Sequence, residues 1–186
     1  YVQEQRFQSI APHLLTKVVW LDALPENFDG VIIANEVLDA QPPEVIIWEN
    51  NSIYEQHVTV DANKDFVYTN IPIKPGFLLE TAKSLPVKSE KYKSEINLNN
   101  RGFMKSLAES LNQGCILLID YGYPENEYYS LNRSNGSLRG FFRHQLLDDI
   151  LQFPGLIDIT TSVDFTCIAN IAIENHLDFI GYTTQA

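Results

Sequence analysis

Gly30–Pro43 reads G-V-I-I-A-N-E-V-L-D-A-Q-P-P, and the fold turns on it. Val31, Ile32, Ile33 and Ala34 form a continuous apolar run of strand length. Such a run predicts a strand buried on both faces, as in a parallel sheet covered by helices. It stops at Asn35 and Glu36, and Asp39 follows. Polar side chains at the carboxyl end of a buried parallel strand sit where open α/β sheets bind ligands. An ordinary strand running into a polar loop gives the same pattern, since many loops carry acids.

Further along, Cys115–Ile119 (C-I-L-L-I) is a second buried strand, and it too ends in polar residues, Asp120 and Tyr121. The chain before it predicts a helix from about Leu98 to Asn112, with Met104, Leu107, Ala108 and Leu111 on one face. Gly114 then reads as the helix stop. Helix, glycine, apolar strand and acid in that order is the repeat of a doubly wound α/β sheet.

Around these two strands the pattern is less regular. Tyr1–Leu15 begins as an amphipathic helix that Pro12 ends. Lys17–Leu21 (K-V-V-W-L) reads as a short buried strand with Asp22 at its end. Glu44–Trp48 and Ile53–Val60 predict a β-hairpin, with a further strand at Phe66–Thr69. Ile71–Glu95, broken by prolines, reads as an irregular excursion with one helical turn at Leu78–Lys83. The charges at Lys88–Lys93 read as a solvated face. Pro124–Arg139 reads as a long loop, and Gly140–Leu151 as a short helix carrying Arg143 and His144. Asp164 is placed to cap a helix over Phe165–Asn175, and Leu177–Tyr182 is a last strand candidate.

No repeat and no second core divides the 186 residues, so they read as one domain, 1–186, with 43–95 and 123–163 as insertions. A formal charge of −11 argues against non-specific binding to nucleic acid or an anionic membrane, and leaves room for a basic partner. No apolar run reaches membrane-spanning length, and no signal peptide opens the chain. Cys115 and Cys167 lie in apolar runs and read as buried thiols of a reducing compartment. The four histidines are scattered, so no metal site is expected.

Five segments stand in a telling order: A-N-E-V-L-D-A-Q-P at 34–42, Y-K-S-E-I-N at 92–97, G-C-I-L-L-I-D-Y-G-Y at 114–123, G-S-L-R at 136–139 with His144, and P-G-L-I-D-I-T-T-S-V-D-F at 154–165. Together they resemble the MidA family of class I S-adenosylmethionine-dependent protein arginine methyltransferases, which includes the mitochondrial complex I assembly factor. The resemblance runs over nearly the whole chain. It implies an α/β fold: a mostly parallel, Rossmann-like methyltransferase sheet with an inserted β-hairpin and an elaborated substrate region. The family's glycine-rich loop and its ribose-binding acid are not in this sequence. The chain therefore reads as the C-terminal portion of such an enzyme, and the portion alone as a weak cofactor binder.

The resemblance also assigns chemistry. Holding a guanidinium against the methyl carbon of S-adenosylmethionine calls for carboxylates, because charge-assisted bidentate pairs orient a planar cation. Glu36 and Asp39 are the candidates for the substrate arginine. Asn35 is placed to meet the substrate or the amino-acid part of the cofactor. Asp22 is placed like the acid at the adenine amino group, with Trp20 and Leu21 flanking the ring. Asp120 and Tyr121 line the cleft or brace its loop, and His144 and Asp158 match family positions near the substrate. Plainer roles compete: Asp22 or Asp39 as turn or helix caps, and Ser94 and Glu95 ordering a loop. The implied partner is a protein bearing arginine, such as a respiratory-complex subunit. The oligomeric state, a homodimer included, is left open. The setting is a bacterial cytoplasm, or a mitochondrial matrix in a eukaryote. A non-catalytic assembly or docking factor on the same fold is the alternative.

Overall fold

A computed structural model describes residues 2–87 and 89–185. In chain order its elements are α1 (Val2–Ile10), β1 (Phe28–Asn35), β2 (Glu44–Glu49), β3 (Ser52–Val60), β4 (Phe66–Pro72), α2 (Phe77–Ser84), β5 (Lys91–Ile96) and α3 (Leu98–Ser110). There follow β6 (Leu111–Ile119), β7 (Gly122–Tyr123), α4 (Glu125–Tyr128), β8 (Arg139–Phe142), β9 (Gln145–Leu147), β10 (Asp158–Thr160), β11 (Val163–Asp164) and α5 (Phe165–Glu174).

The two apolar runs pair with each other. β1 lies parallel to β6, in register from Asp29 opposite Gln113 to Asn35 opposite Ile119, so both strands end at the same edge. Helices α3 and α5 cover one face. In α3 the buried residues are Asn100, Met104, Leu107 and Ser110, a spacing that puts them on one stripe. Asn97 caps that helix by accepting the Asn100 amide at 3.0 Å, and Asp164 caps α5 by accepting the Cys167 amide at 3.0 Å. Leu38, Met104, Leu107, Val163, Ile168 and Ile171 form the core beneath, with Ile32, Ile116 and Leu118 reaching it from the strands. An ion pair between Arg101 and Glu174 joins the two helices at the surface.

The other face of the pair is open, contrary to the expectation of burial on both sides. Val31 is 58% exposed, Ile33 64% and Leu117 49%, so the strands alternate between covered and uncovered residues. Gly114 also differs from its expected role. It lies inside β6, not at a helix end, with φ +141, directly opposite Gly30. Helix α3 passes into the strand without a glycine stop, and Leu111 belongs to the strand.

Between β1 and β6 the chain builds an antiparallel sheet of order β4-β3-β2-β5. The expected hairpin is β2 and β3, and Phe66–Thr69 lies in β4. Helix α2 covers one side, with Ala82, Ile46 and Ile96 buried between, and the Trp48 indole Nε1 donates to the Ala82 carbonyl at 3.2 Å. β5 corrects the sequence reading, which took Ile71–Glu95 as an irregular excursion. Tyr92, Ser94 and Ile96 share one buried face and Glu95 is buried on the other, so the interleaved lysines and glutamate hide the strand period in the sequence. Tyr92 meets Trp48 of the neighbouring strand edge to face, 6.0 Å between centroids. Lys88 lies outside the described residues, so the solvated face expected there is followed only from Ser89.

Three other segments depart from expectation. Gly140–Leu151 is not helical: β8 and β9 form a hairpin, flanked by β10 in the order β10-β8-β9. Its two-residue turn is Arg143–His144, with φ +50 and +64, the conformation that matches strand twist in a tight hairpin. Lys17–Leu21 and Leu177–Tyr182 are not strands. Lys17 closes a 3-10 helix that starts at Pro12, and the rest is largely exposed and without regular structure, with Val19 at 76% and Ile180 at 87%, since no strand among the described residues pairs with either segment. The Pro124–Arg139 loop is partly ordered by α4, whose Tyr128 packs with Tyr129 and Tyr92 in a buried aromatic cluster. Cys115 is half-buried and Cys167 exposed, against the expectation that both are buried.

Candidate functional site

The carboxyl ends of β1 and β6 make the site. The last β1 bond is donated by the Glu36 amide to the Ile119 carbonyl at 2.9 Å, and Glu36 then takes φ +50, which swings the chain over the sheet edge. Asp120, the residue after β6, catches it there. One oxygen, Oδ2, accepts the amides of Val37, Leu38 and Asp39 at 3.2, 2.9 and 3.2 Å, while Oδ1 accepts the Tyr121 amide at 2.8 Å. Leu38, 1% exposed, anchors the same turn in the core. Burial raises the Asp120 carboxyl above the usual carboxylate range. The Tyr121 amide pulls it back, the charge of Asp39 raises it again, and the amides of Asp39 and Leu38 lower it. Asp120 thus braces the loop, with both oxygens turned to backbone.

That brace sets out the acids the sequence singled out. Asn35 and Glu36 are exposed at the strand tip. The Tyr121 phenol, itself exposed, stands close enough to Glu36 that the carboxylate holds it above its usual range. Asp39 caps no helix. Its Oδ2 accepts the Thr160 hydroxyl at 2.6 Å, its carbonyl accepts the Thr161 amide at 3.1 Å, and its Oδ1 is buried with no partner among the described residues.

A second buried carboxylate lies behind this turn. Glu95 of β5, 2% exposed, accepts the Ser137 amide at 3.1 and 2.9 Å, the Ser137 hydroxyl at 3.0 Å and the Leu138 amide at 3.2 Å. Ser137 Oγ lies 2.8 Å from Thr161 Oγ1 and accepts the Ser162 amide at 3.0 Å. Sequence reasoning assigned no part to Thr160, Thr161 or Ser137. The hydroxyl run T-T-S at 160–162 was the available signal.

The remaining expected residues stand elsewhere. Trp20 contacts α1, edge to face with Phe7 at 6.3 Å and donating to Gln3 Oε1 at 3.3 Å, and Leu21 and Asp22 are exposed. His144 is exposed at the tip of the β8–β9 turn, and Asp158 is exposed in β10 opposite Phe141. A trough of about 1360 Å³ runs along β6 toward the C-terminal segment, with Asn35, Glu36, Asp120 and Tyr121 among its walls.

S-adenosylmethionine requires acceptors for its adenine amine and ribose hydroxyls, and backbone open enough to approach its methionine part. Asp22 and Asn35 are exposed and carry acceptor oxygens. The positive-φ glycines do not supply the cradle. Gly30 and Gly114 lie within paired strands, Gly76 precedes α2, Gly136 approaches Glu95 and Gly155 sits in a surface turn. The residues present therefore fit the acceptor-rich part of the cofactor only.

Adjacent parallel strands, helices packed on them and polar groups gathered at their carboxyl ends define a ligand-binding α/β protein of the Rossmann-like methyltransferase type. Residues 1–183 match the family described as "Putative S-adenosyl-L-methionine-dependent methyltransferase", and the chain belongs to that family. It superposes on a COG1565 superfamily member from Burkholderia thailandensis, crystallised bound to S-adenosyl-homocysteine, with TM-score 0.92 and 34% identity over 99% of this chain and 47% of that one. A native crystal structure of a COG1565 protein from the same organism gives TM-score 0.92 and 35% identity, over 99% of this chain and 49% of that one. Among curated proteins the chain is 25% identical to the mitochondrial protein arginine methyltransferase NDUFAF7 of Danio rerio, over 82% of this chain and 34% of the relative. It is 26% identical to the NDUFAF7 homolog of Caenorhabditis elegans, over 81% of this chain and 34% of the relative. The chain thus spans about half of the solved relatives and 34% of these curated ones. Among the described residues no helix is long and apolar enough to cross a membrane.

Proposed function

We propose that this chain forms the acceptor side of an S-adenosylmethionine-dependent methyltransferase site that takes arginine in a protein. The observation that carries the reading is Glu36, exposed on a turn that Asp120 fixes at the tips of two adjacent parallel strands. The names of the curated relatives support arginine as acceptor.

The cofactor, when bound, supplies an electrophilic methyl group. The chain's part is to aim a nitrogen at it. Glu36 pairs with the guanidinium and orients its plane, and Asn35 beside it offers an amide for the substrate or cofactor. Asp39 adds a second negative charge near the tip. Positioning of this kind supplies a large share of the rate in a transfer that asks little covalent work of the protein. The net charge of −11 suits a basic protein substrate.

The test is transfer of labelled methyl to an arginine-bearing protein by the full-length enzyme. Glu36→Gln, at an exposed position, leaves the fold and S-adenosylmethionine binding in place and lowers transfer by roughly tenfold or more, as loss of a charge-assisted pair requires. Undiminished transfer removes Glu36 from the mechanism. A wild-type protein that binds cofactor and transfers nothing supports the docking-factor alternative.

A further inference from the structure

We infer that Glu95 and Ser137 are positioning residues that hold the Asp39 carboxylate in place through the segment that carries Thr160, an inference that rests on the reading just given. Glu95 stands on β5 of the antiparallel sheet, far in sequence from the turn after β1, yet a continuous hydrogen-bonded line joins them. Its carboxylate gathers the amides of Ser137 and Leu138 and the Ser137 hydroxyl. Ser137 in turn grips the strand-end segment at Thr161 and Ser162. That segment grips Asp39 twice, through the Thr160 hydroxyl on its carboxylate and the Thr161 amide on its carbonyl.

The hydrogen bonds give the line a direction. The Ser137 hydroxyl donates to Glu95 Oε2 at 3.0 Å. Ser137 Oγ is then left as an acceptor for the Ser162 amide and the Thr161 hydroxyl. Glu95, buried with no cation among its hydrogen-bond partners in the described residues, is satisfied by these donors and by the Tyr128 hydroxyl at 3.5 Å. Gly136, at φ +76, lets them come close, since a Cβ there would fall 2.3 Å from Glu95 Oε1. Thr161, 3% exposed, lies in the same buried network.

Asp39 needs this support because its own shell is incomplete: Oδ1 is buried with no partner among the described residues. A carboxylate in that condition swings toward any donor unless its other oxygen is fixed. Thr160 fixes it, and Ser137 fixes the segment that carries Thr160.

A double-mutant cycle on the full-length protein tests this. Ser137→Ala, Asp39→Asn and the pair are compared by denaturant unfolding and by methyl transfer, with Glu95→Gln as a second probe. Gln turns an N–H₂ toward the Ser137 and Leu138 donors, so it should act like Ser137→Ala despite its matching shape. Ser137→Ala should raise the unfolding constant about tenfold in the wild-type background, the scale of one hydrogen bond, and by a several-fold smaller factor with Asp39→Asn, where only the loss at Glu95 remains. In transfer it should raise KM for the protein acceptor several-fold, leave S-adenosylmethionine affinity unchanged, and do neither in the Asp39→Asn background. Equal effects in the two backgrounds overturn the inference. Coupled unfolding in a protein without transfer keeps the Ser137–Asp39 link and overturns the proposed activity instead. Coupled unfolding with an unchanged KM in an active protein overturns the positioning role.

Discussion

Gly30 and Gly114 stand opposite each other across β1 and β6, and a Cβ on Gly114 would fall 1.7 Å from the Gly30 carbonyl oxygen. The parallel pair that carries the candidate site closes at this point because Gly114 has no side chain. Gly114→Ala, at φ +141, adds backbone strain to the overlap. It should cost more than about 3 kcal/mol or abolish cooperative unfolding, read by circular dichroism in denaturant. Gly102→Ala is the contrast. Gly102 lies within α3 with open space around its would-be Cβ, and the exchange should stabilise by about 0.5–1 kcal/mol. Equal effects from the two would show that the strands do not approach as described.

The cap of α5 carries a pH dependence. Asp164 is raised to about 6, chiefly by burial and further by Glu125, with the Cys167 and Thr166 amides pulling it down. Its folded value lies above its unfolded one, so the native state binds the proton more tightly. The stability it contributes is full below about pH 4 and is lost as pH rises through about 6, by on the order of 2 kcal/mol. Asp164→Asn keeps an oxygen for the Cys167 amide and carries no charge. The variant should melt higher than wild type at pH 7.5 and level with it at pH 4. A lower melting point at pH 7.5 would mean that the anion is favoured at the helix end.

The β8–β9 turn separates two roles for His144. Its φ of +64 is one that glycine adopts without strain. His144→Gly should therefore stabilise the protein by about 0.5–1 kcal/mol and leave methyl transfer unchanged. A fall in transfer with a higher melting point would assign His144 a substrate contact, as the family resemblance implies.

What could be read in the sequence follows the range of the forces. The apolar runs at Val31–Ala34 and Cys115–Ile119, the β2–β3 hairpin and the Asp164 cap are local patterns, and all four are seen. β5 escaped because Lys91, Lys93 and Glu95 mask the period of Tyr92, Ser94 and Ile96. The β8–β9 hairpin escaped because Arg-His at its turn carries none of the usual glycine or asparagine signal. Lys17–Leu21 and Leu177–Tyr182 have strand-like composition, but a strand also needs a neighbour, which no local pattern records. The site divides likewise. Asn35, Glu36, Asp39 and Asp120 show as polar residues at strand ends, whereas the tie from Glu95 to Thr161 exists only after three distant segments meet.

The three amides that Asp120 gathers have a kinetic meaning. Val37, Leu38 and Asp39 lie in no helix or strand, where backbone hydrogens ordinarily trade with solvent deuterium quickly. Here each is tied to a half-buried carboxylate, so this loop keeps the slow clock of the sheet it leaves and opens only when the β1–β6 pair does.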